Sequence, residues 1–370
     1  MRSVSCFFVL IVVVFSFCLL NAQTKPGLFA LEGFDGEWFV DQETRTGDAR
    51  PGEFLGRKAV LIKKGSHIIH RDMEFTDGTI EFDIAPMDEA QFIGIVFRRD
   101  SSQNYENVYL RPFASGQYEA LQYAPRINGS ATWQIYPEFM RQIDIPRKQW
   151  THLRLEVKGR TLEIYVNKAA EPTLRIDRLR GEAGKGPVAF WGTVPRGGDA
   201  VSAALSNISI RPSEPVRASS DSPVETPPGT LVSWEVARPL ENKEGPINAI
   251  PKLEGWKPAV AEESGLVNLS RAIGAQKSRS TGFARTVIKS DREKTVALEI
   301  GYSDDVTVFL NGEPVYSAVN GWDSRYPQFM GLLKPEYERV FLKLRPGDNQ
   351  LLLAVTDDQR FGWGFNARIF

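Results

Sequence analysis

The stretch Glu81-Phe82-Asp83 holds two carboxylates two positions apart, and on a β-strand such residues point to the same side. Paired carboxylates can cleave a glycosidic bond, one protonating the leaving oxygen while the other attacks the sugar, and this retaining chemistry needs them ~5–5.5 Å apart. The spacing stops short of that pattern. The next residue on the same side is Ala85, and Asp88 and Glu89 follow Pro86 in turn-forming sequence. The plainer expectation is a solvated strand face opposite Ile80, Phe82 and Ile84. Were the chain catalytic, Glu81, Asp83, Glu106 and Glu119 would be its acid and base candidates.

A different chemistry is written in NYENVYLRP, Asn104 to Pro112. One parity of this strand-like segment is Tyr105, Asn107, Tyr109 and Arg111; the other includes Glu106, Val108 and Leu110. Aromatic rings offer flat apolar faces to the C–H side of a sugar, and amides and guanidinium groups satisfy its hydroxyls in directed pairs. The mixture continues through Gln122, Tyr123, Asn128, Trp133 and Gln134, and Arg98 lies on a neighbouring strand that carries Gly94. The expected ligand-binding set is therefore Arg98, Tyr105, Asn107, Tyr109, Arg111, Gln122, Tyr123, Asn128, Trp133 and Gln134. The competing expectation is that these rings close a core edge and these amides cap loops. In the second half, Trp322, Tyr326 and Trp363 are rim candidates, with hydrophobic packing the plainer expectation.

Other chemistries find little support. The three histidines are His67, His70 and His152, with no HExxH pattern for a catalytic zinc. There is no G-x-S-x-G nucleophile elbow, and the GK of GEAGKG is followed by Gly186 and Pro187 rather than Ser or Thr. No cofactor is expected. Structural calcium is a more plausible ion than zinc, with Asp304 and Asp305, Asp348 and Asn349, or Asp357 and Asp358 as loop oxygens.

The elements that must position these residues follow from the whole chain. Its 370 residues, 42% hydrophobic and 25% charged, provide a real core and a length that suits two domains. A formal net charge of −1 argues against a nucleic-acid surface. The N-terminus places Arg2 before an apolar run from Cys6 to Leu20, then Ala22 and Gln23, so residues 1–22 are expected to be a cleaved secretory signal rather than a membrane anchor. Both cysteines, Cys6 and Cys18, lie inside it. The mature chain is thus expected to lack disulfides and thiolate chemistry, to be secreted or periplasmic, and not to insert in a membrane.

Beyond the signal, apolar runs such as GTIEFDIAP, FIGIVFRR, THLRLEVKG, TLEIYVN and GPVAFWG are short, rich in Ile, Val, Phe and Tyr, and broken by Gly, Pro, Asn and Asp. This is the signature of an all-β sandwich. LRLEVKGRTLEIYVN predicts a hairpin turning at KGR. The Pro/Ser-rich PSEPVRASSDSPVETPPGT marks a linker over 213–230, between a first domain at 28–212 and a second at 231–370. No helical period stands out, and the halves show no repeat of each other.

The series FTDGTIEFDIAP, IGIVFRR, NYENVYLRP, WTHLRLEVKGRTLEIYVN, GPVAFWG and LSNISI resembles concanavalin A-like lectin/glucanase jelly rolls of the laminin-G-like kind. That group includes the domain named for 3-keto-disaccharide hydrolysis, but this sequence has Phe-Ile before Gly94 where that family has Asn-Ser. YSDDVTVFLNGEPVY, LRPGDNQLLLAVTDD and GWGFNARI resemble a galactose-binding-domain-like jelly roll. The resemblances imply two β-sandwich jelly rolls joined by the linker, with carbohydrate as the partner on the concave face of the first. A glycoside hydrolase and a cell-surface interaction module are the alternatives.

Overall fold

Leu153, Leu155 and Val157 are buried while Arg154, Glu156 and Lys158 are not, so the alternation fixes which side of the hairpin enters the core. Its strands, Thr151–Lys158 and Thr161–Val166, pair antiparallel around a two-residue turn at Gly159 and Arg160, where Gly159 supplies a φ of 58°. The computed structural model describes residues 28–30, 38–41, 48–64, 67–70, 73–181, 184–195, 198, 200–216, 226–242, 245–276, 278–326 and 329–370. The expected signal at 1–22 and the middle of the expected linker, 217–225, lie outside the described residues.

The described chain is an all-β protein of two sandwiches. In the first, an eight-stranded sheet runs in the order Leu28–Ala30, Trp38–Asp41, His67–His70, Ala189–Thr193, Phe92–Phe97, Glu106–Leu110, Leu121–Tyr123, Met140–Arg141. A seven-stranded sheet faces it, in the order Leu174–Ile176, Thr161–Val166, Thr151–Lys158, Asp77–Pro86, Ala203–Ser213, Arg57–Lys64, Asp48–Phe54. Ile93, Ile95, Phe97, Val108, Leu110, Leu121 and Phe190 from one sheet meet Ile80, Phe82, Ile84, Leu153, Leu155 and Leu205 from the other. Burying each such side chain contributes roughly 1.5–3 kcal/mol.

The second sandwich pairs a seven-stranded sheet, centred on Ser280–Ser290 and Gly347–Asp357, with a four-stranded sheet centred on Lys294–Ser303 and Gly364–Ile369. Asn311 and Gly312, both at positive φ, turn the hairpin between Asp305–Leu310 and Glu313–Val319. The one described α-helix, Leu269–Ile273, is capped by Asn268, whose side chain accepts from the N–H of Arg271. Trp363 follows the packing alternative: it is fully buried in this core and donates its Nε1–H to the carbonyl of Val355 at 3.0 Å.

The sandwiches are packed against each other. Leu266 and Leu333 of the second join the core cluster of the first. Arg180 pairs with Glu263 and lies 3.7 Å from Glu262, which accepts from the Tyr136 hydroxyl at 2.9 Å. Arg271 closes the cluster by donating to the carbonyl of Arg180 at 2.6 Å. No helix among the described residues is long and apolar enough to cross a membrane.

Candidate functional site

The strand Glu106–Leu110 is buried along its whole length, yet its two faces do different things. Glu106, Val108 and Leu110 point into the sandwich, where Val108 and Leu110 join the core. Asn107 and Tyr109, with Tyr105 and Arg111 at the strand ends, occupy the opposite, outer face of the eight-stranded sheet. Cross-strand register aligns Trp191, Gly94, Tyr109 and Gln122 in one transverse row. Gly94 has a plain steric role there: a Cβ on it would lie 2.5 Å from the carbonyl oxygen of Val108 and 2.7 Å from Cβ of Tyr109. Its bare backbone lets the Trp191 and Tyr109 rings approach to 5.9 Å across it.

The polar groups of this face form a linked floor. Trp191 donates its Nε1–H to Asn107 at 3.0 Å, and the Asn107 amide donates to the carbonyl of Ala124 at 3.2 Å. The Tyr109 hydroxyl donates to Gln122 Oε1. The Arg111 guanidinium lies over the Trp133 ring at 4.8 Å, the Phe92 ring at 5.6 Å and the Tyr109 ring at 5.8 Å. Asn107, Tyr109, Arg111 and Gln122 are all buried, whereas Trp191, Phe92, Trp133 and Tyr105 are half-buried. The result is a polar floor rimmed by partly exposed rings. Arg111 Nε and Gln122 Nε2 have no hydrogen-bond partner among the described residues. Burial pushes the Tyr109 hydroxyl above the usual tyrosine range, against the lowering effect of Arg111, so it stays a neutral donor. Tyr118, at the edge, is pushed up to about 12, first by burial and then by Glu119 and Tyr337.

Four residues of the expected set lie elsewhere. Arg98 follows Phe97 at a φ of 48° and turns away to a buried pair with Asp77 at 2.7 Å, also donating to the carbonyls of Thr76 and Gly159. Tyr123 points into the core and donates to Glu106 at 2.6 Å. Asn128 and Gln134 face the second sandwich. Asn128 donates to the carbonyl of Ser270 at 3.1 Å. Fully buried Gln134 accepts from Ser303 at 3.2 Å, and its backbone bonds Phe361 and Leu333 at 3.1 and 2.8 Å. Tyr105 shares the outer face but packs against His67 at 5.4 Å and the apolar group of Ile69, Val96 and Ala189.

The catalytic candidates are scattered. Glu81 pairs with Arg211, and Asp83 accepts from Arg57 at 2.8 Å and Asn207 at 2.6 Å and contacts His152 at 2.8 Å. Both stand on the outer face of the other sheet. Glu106 is sealed in the core, where burial raises its carboxyl and the Tyr123 hydrogen bond only partly offsets this. Glu119 is in the turn before Leu121–Tyr123. None of the four is set opposite another across the aromatic face.

Several of the loop oxygens proposed for calcium have protein partners. Arg279 lies 2.6 Å from Asp305 and 3.1 Å from Asp358, Asp304 accepts two backbone N–H groups, and Asn349 braces its own turn. No group of three or more potential ligands is assembled among the described residues. Two surface recesses, of about 480 and 570 Å³, lie in the second sandwich, and neither is lined by residues of the aromatic face.

Trp191 and Phe92 were not singled out by sequence. The signal was there: in AFWGT, with Phe190 inward, parity sends Trp191 to the same face as Tyr109.

No family profile and no curated protein matches the chain. Solved structures similar to it include a carbohydrate-binding module, CBM66, from Bacillus subtilis, at 19% identity over 46% of this chain and 93% of that one, with a TM-score of 0.33. A β-1,3-glucanase from Mycobacterium marinum is 12% identical over 50% of this chain and 97% of its own, with a TM-score of 0.32. A galectin, LEC-6, from Caenorhabditis elegans is 12% identical over 44% and 91%, with a TM-score of 0.27.

Proposed function

We propose that this is an exported carbohydrate-binding protein whose ligand lies on the outer face of the eight-stranded sheet. The observation that carries this reading is the half-exposed ring rim of Trp191, Phe92 and Trp133 around the buried floor of Asn107, Tyr109, Arg111 and Gln122. Rings of this kind stack on the apolar face of a sugar, and Arg111 Nε and Gln122 Nε2 retain unmet donor capacity beneath them. Binding is favoured over cleavage because the four candidate carboxylates do not oppose one another across this face. Export is supported by Arg2, the apolar run to Leu20 and Ala22.

A polysaccharide panel scored both for retention in affinity electrophoresis and for released reducing ends tests it. Wild type should be retained without releasing ends. Trp191→Ala should lose about tenfold in affinity for one lost stacking ring while still unfolding cooperatively, at a lowered thermal midpoint. Unchanged retention by the folded variant overturns the assignment, and reducing ends released by wild type replace binding with hydrolysis.

A further inference from the structure

The ring rim does not stop at the first sandwich. From Trp191 it steps 5.9 Å to Tyr109 and 6.0 Å to Phe92. Arg111 lies 5.6 Å from Phe92 and 4.8 Å from Trp133, and Trp133 then lies 5.4 Å from Phe361, which belongs to the second sandwich. Phe361 is half-buried, as Trp133 is. Two backbone hydrogen bonds fix this junction beside Trp133: Gln134 N–H donates to the carbonyl of Phe361 at 3.1 Å, and Leu333 N–H to the carbonyl of Gln134 at 2.8 Å. The Ile135 side chain sits where a Cβ on Gly362 would fall, 2.9 Å away. Phe361 is therefore held in place by the body of both sandwiches, not presented on a free tip.

We propose that the two sandwiches form one binding surface, with Phe361 as its far subsite, and that the ligand is an extended oligosaccharide chain rather than a single terminal sugar. This rests on the carbohydrate reading of the outer face. From Trp191 to Phe361 the path takes five successive contacts of 4.8 to 6.0 Å and crosses from one sandwich to the other, whereas one pyranose stacks on about one ring. The rings meet one another at 46–69°, so Trp191, Phe92, Trp133 and Phe361, the partly exposed ones, present separate apolar edges and faces along the path, which suits successive residues of a chain. Rigid placement matters, because a subsite that had to be ordered on binding would return less affinity per contact.

The test uses the full chain and titrates calorimetrically the disaccharide and hexasaccharide of cello-, xylo-, laminari- and malto-series sugars, alongside the polysaccharide panel. Wild type should bind a hexasaccharide more tightly than its disaccharide. Phe361→Leu keeps the apolar bulk but removes the flat face, and should weaken the hexasaccharide by about tenfold while leaving the disaccharide unchanged. Phe361→Trp should restore the difference, and Trp191→Ala should weaken both. Equal wild-type affinities for the two lengths, or a folded Phe361→Leu that binds both as wild type does, overturn the shared surface while leaving carbohydrate binding standing. A wild-type protein that retains no polysaccharide and binds none of these sugars overturns both.

Discussion

At the scale of single residues, burial sets the chemistry more than residue type does. Asp304 is almost fully buried, and burial raises its carboxyl to about 7, the neighbouring Asp357 adding to the shift and two backbone N–H donors opposing it. A folded-state value above the unfolded one means that the native protein keeps a proton the unfolded chain has lost. The stability from this neutral form is complete below the ordinary carboxylate range and disappears as pH rises through about 7. Stability should therefore fall by on the order of a few kcal/mol between about pH 5 and about pH 8, and the thermal midpoint with it. Asp304→Asn keeps an acceptor for the N–H groups of Asp358 and Gln359 and should flatten that slope, raising the midpoint at the alkaline end. A slope unchanged in the variant would mean that another group titrates.

At the scale of elements, the outer face depends on one strand pair. Gly94 lies opposite Tyr109, and an added methyl has nowhere to go. Gly94→Ala should cost about 1–3 kcal/mol by overpacking and displace Tyr109 from Trp191. Denaturant unfolding would read the first effect and Trp fluorescence the second; a variant as stable as wild type with an unshifted spectrum would show that the two strands part easily. The same strand marks what was legible in the sequence. Alternation alone assigned Val108 and Leu110 to the core and Asn107 and Tyr109 to the other face, because strand parity is a local property. The destination of Arg98, Tyr123, Asn128 and Gln134 was not local. Arg98 is claimed by Asp77, 21 positions earlier, and Gln134 by Ser303, 169 positions later. The Glu106 carboxylate, awkward in an inward parity, is accommodated by the Tyr123 hydroxyl and the N–H of Gly181. Such partners are fixed by packing, and no spacing announces them.

At the scale of the molecule, the two sandwiches share buried charge. The side chains of Arg180, Glu262 and Glu263 are 11%, 14% and 14% exposed, and Arg180 of the first sandwich faces both acids, with Arg178 also pairing with Glu263. Removing one member of such a set costs about 2 to 5 kcal/mol, much of it from the partner left unpaired. Wild type should melt in a single calorimetric transition, and Arg180→Ala should split it in two. Two transitions in wild type would mean that the contact is too weak to couple the halves.

Asp77 accepts the N–H of Val216 at 2.7 Å, and the carbonyl of Ala367 accepts that of Leu231 at 2.9 Å. Each end of the connecting stretch is thereby tied to its own sandwich, while Gln134 and Arg180 carry the grip between them. A molecule nicked in that stretch by a protease would still diffuse, sediment and bind as one body, and the cut would show only after denaturation.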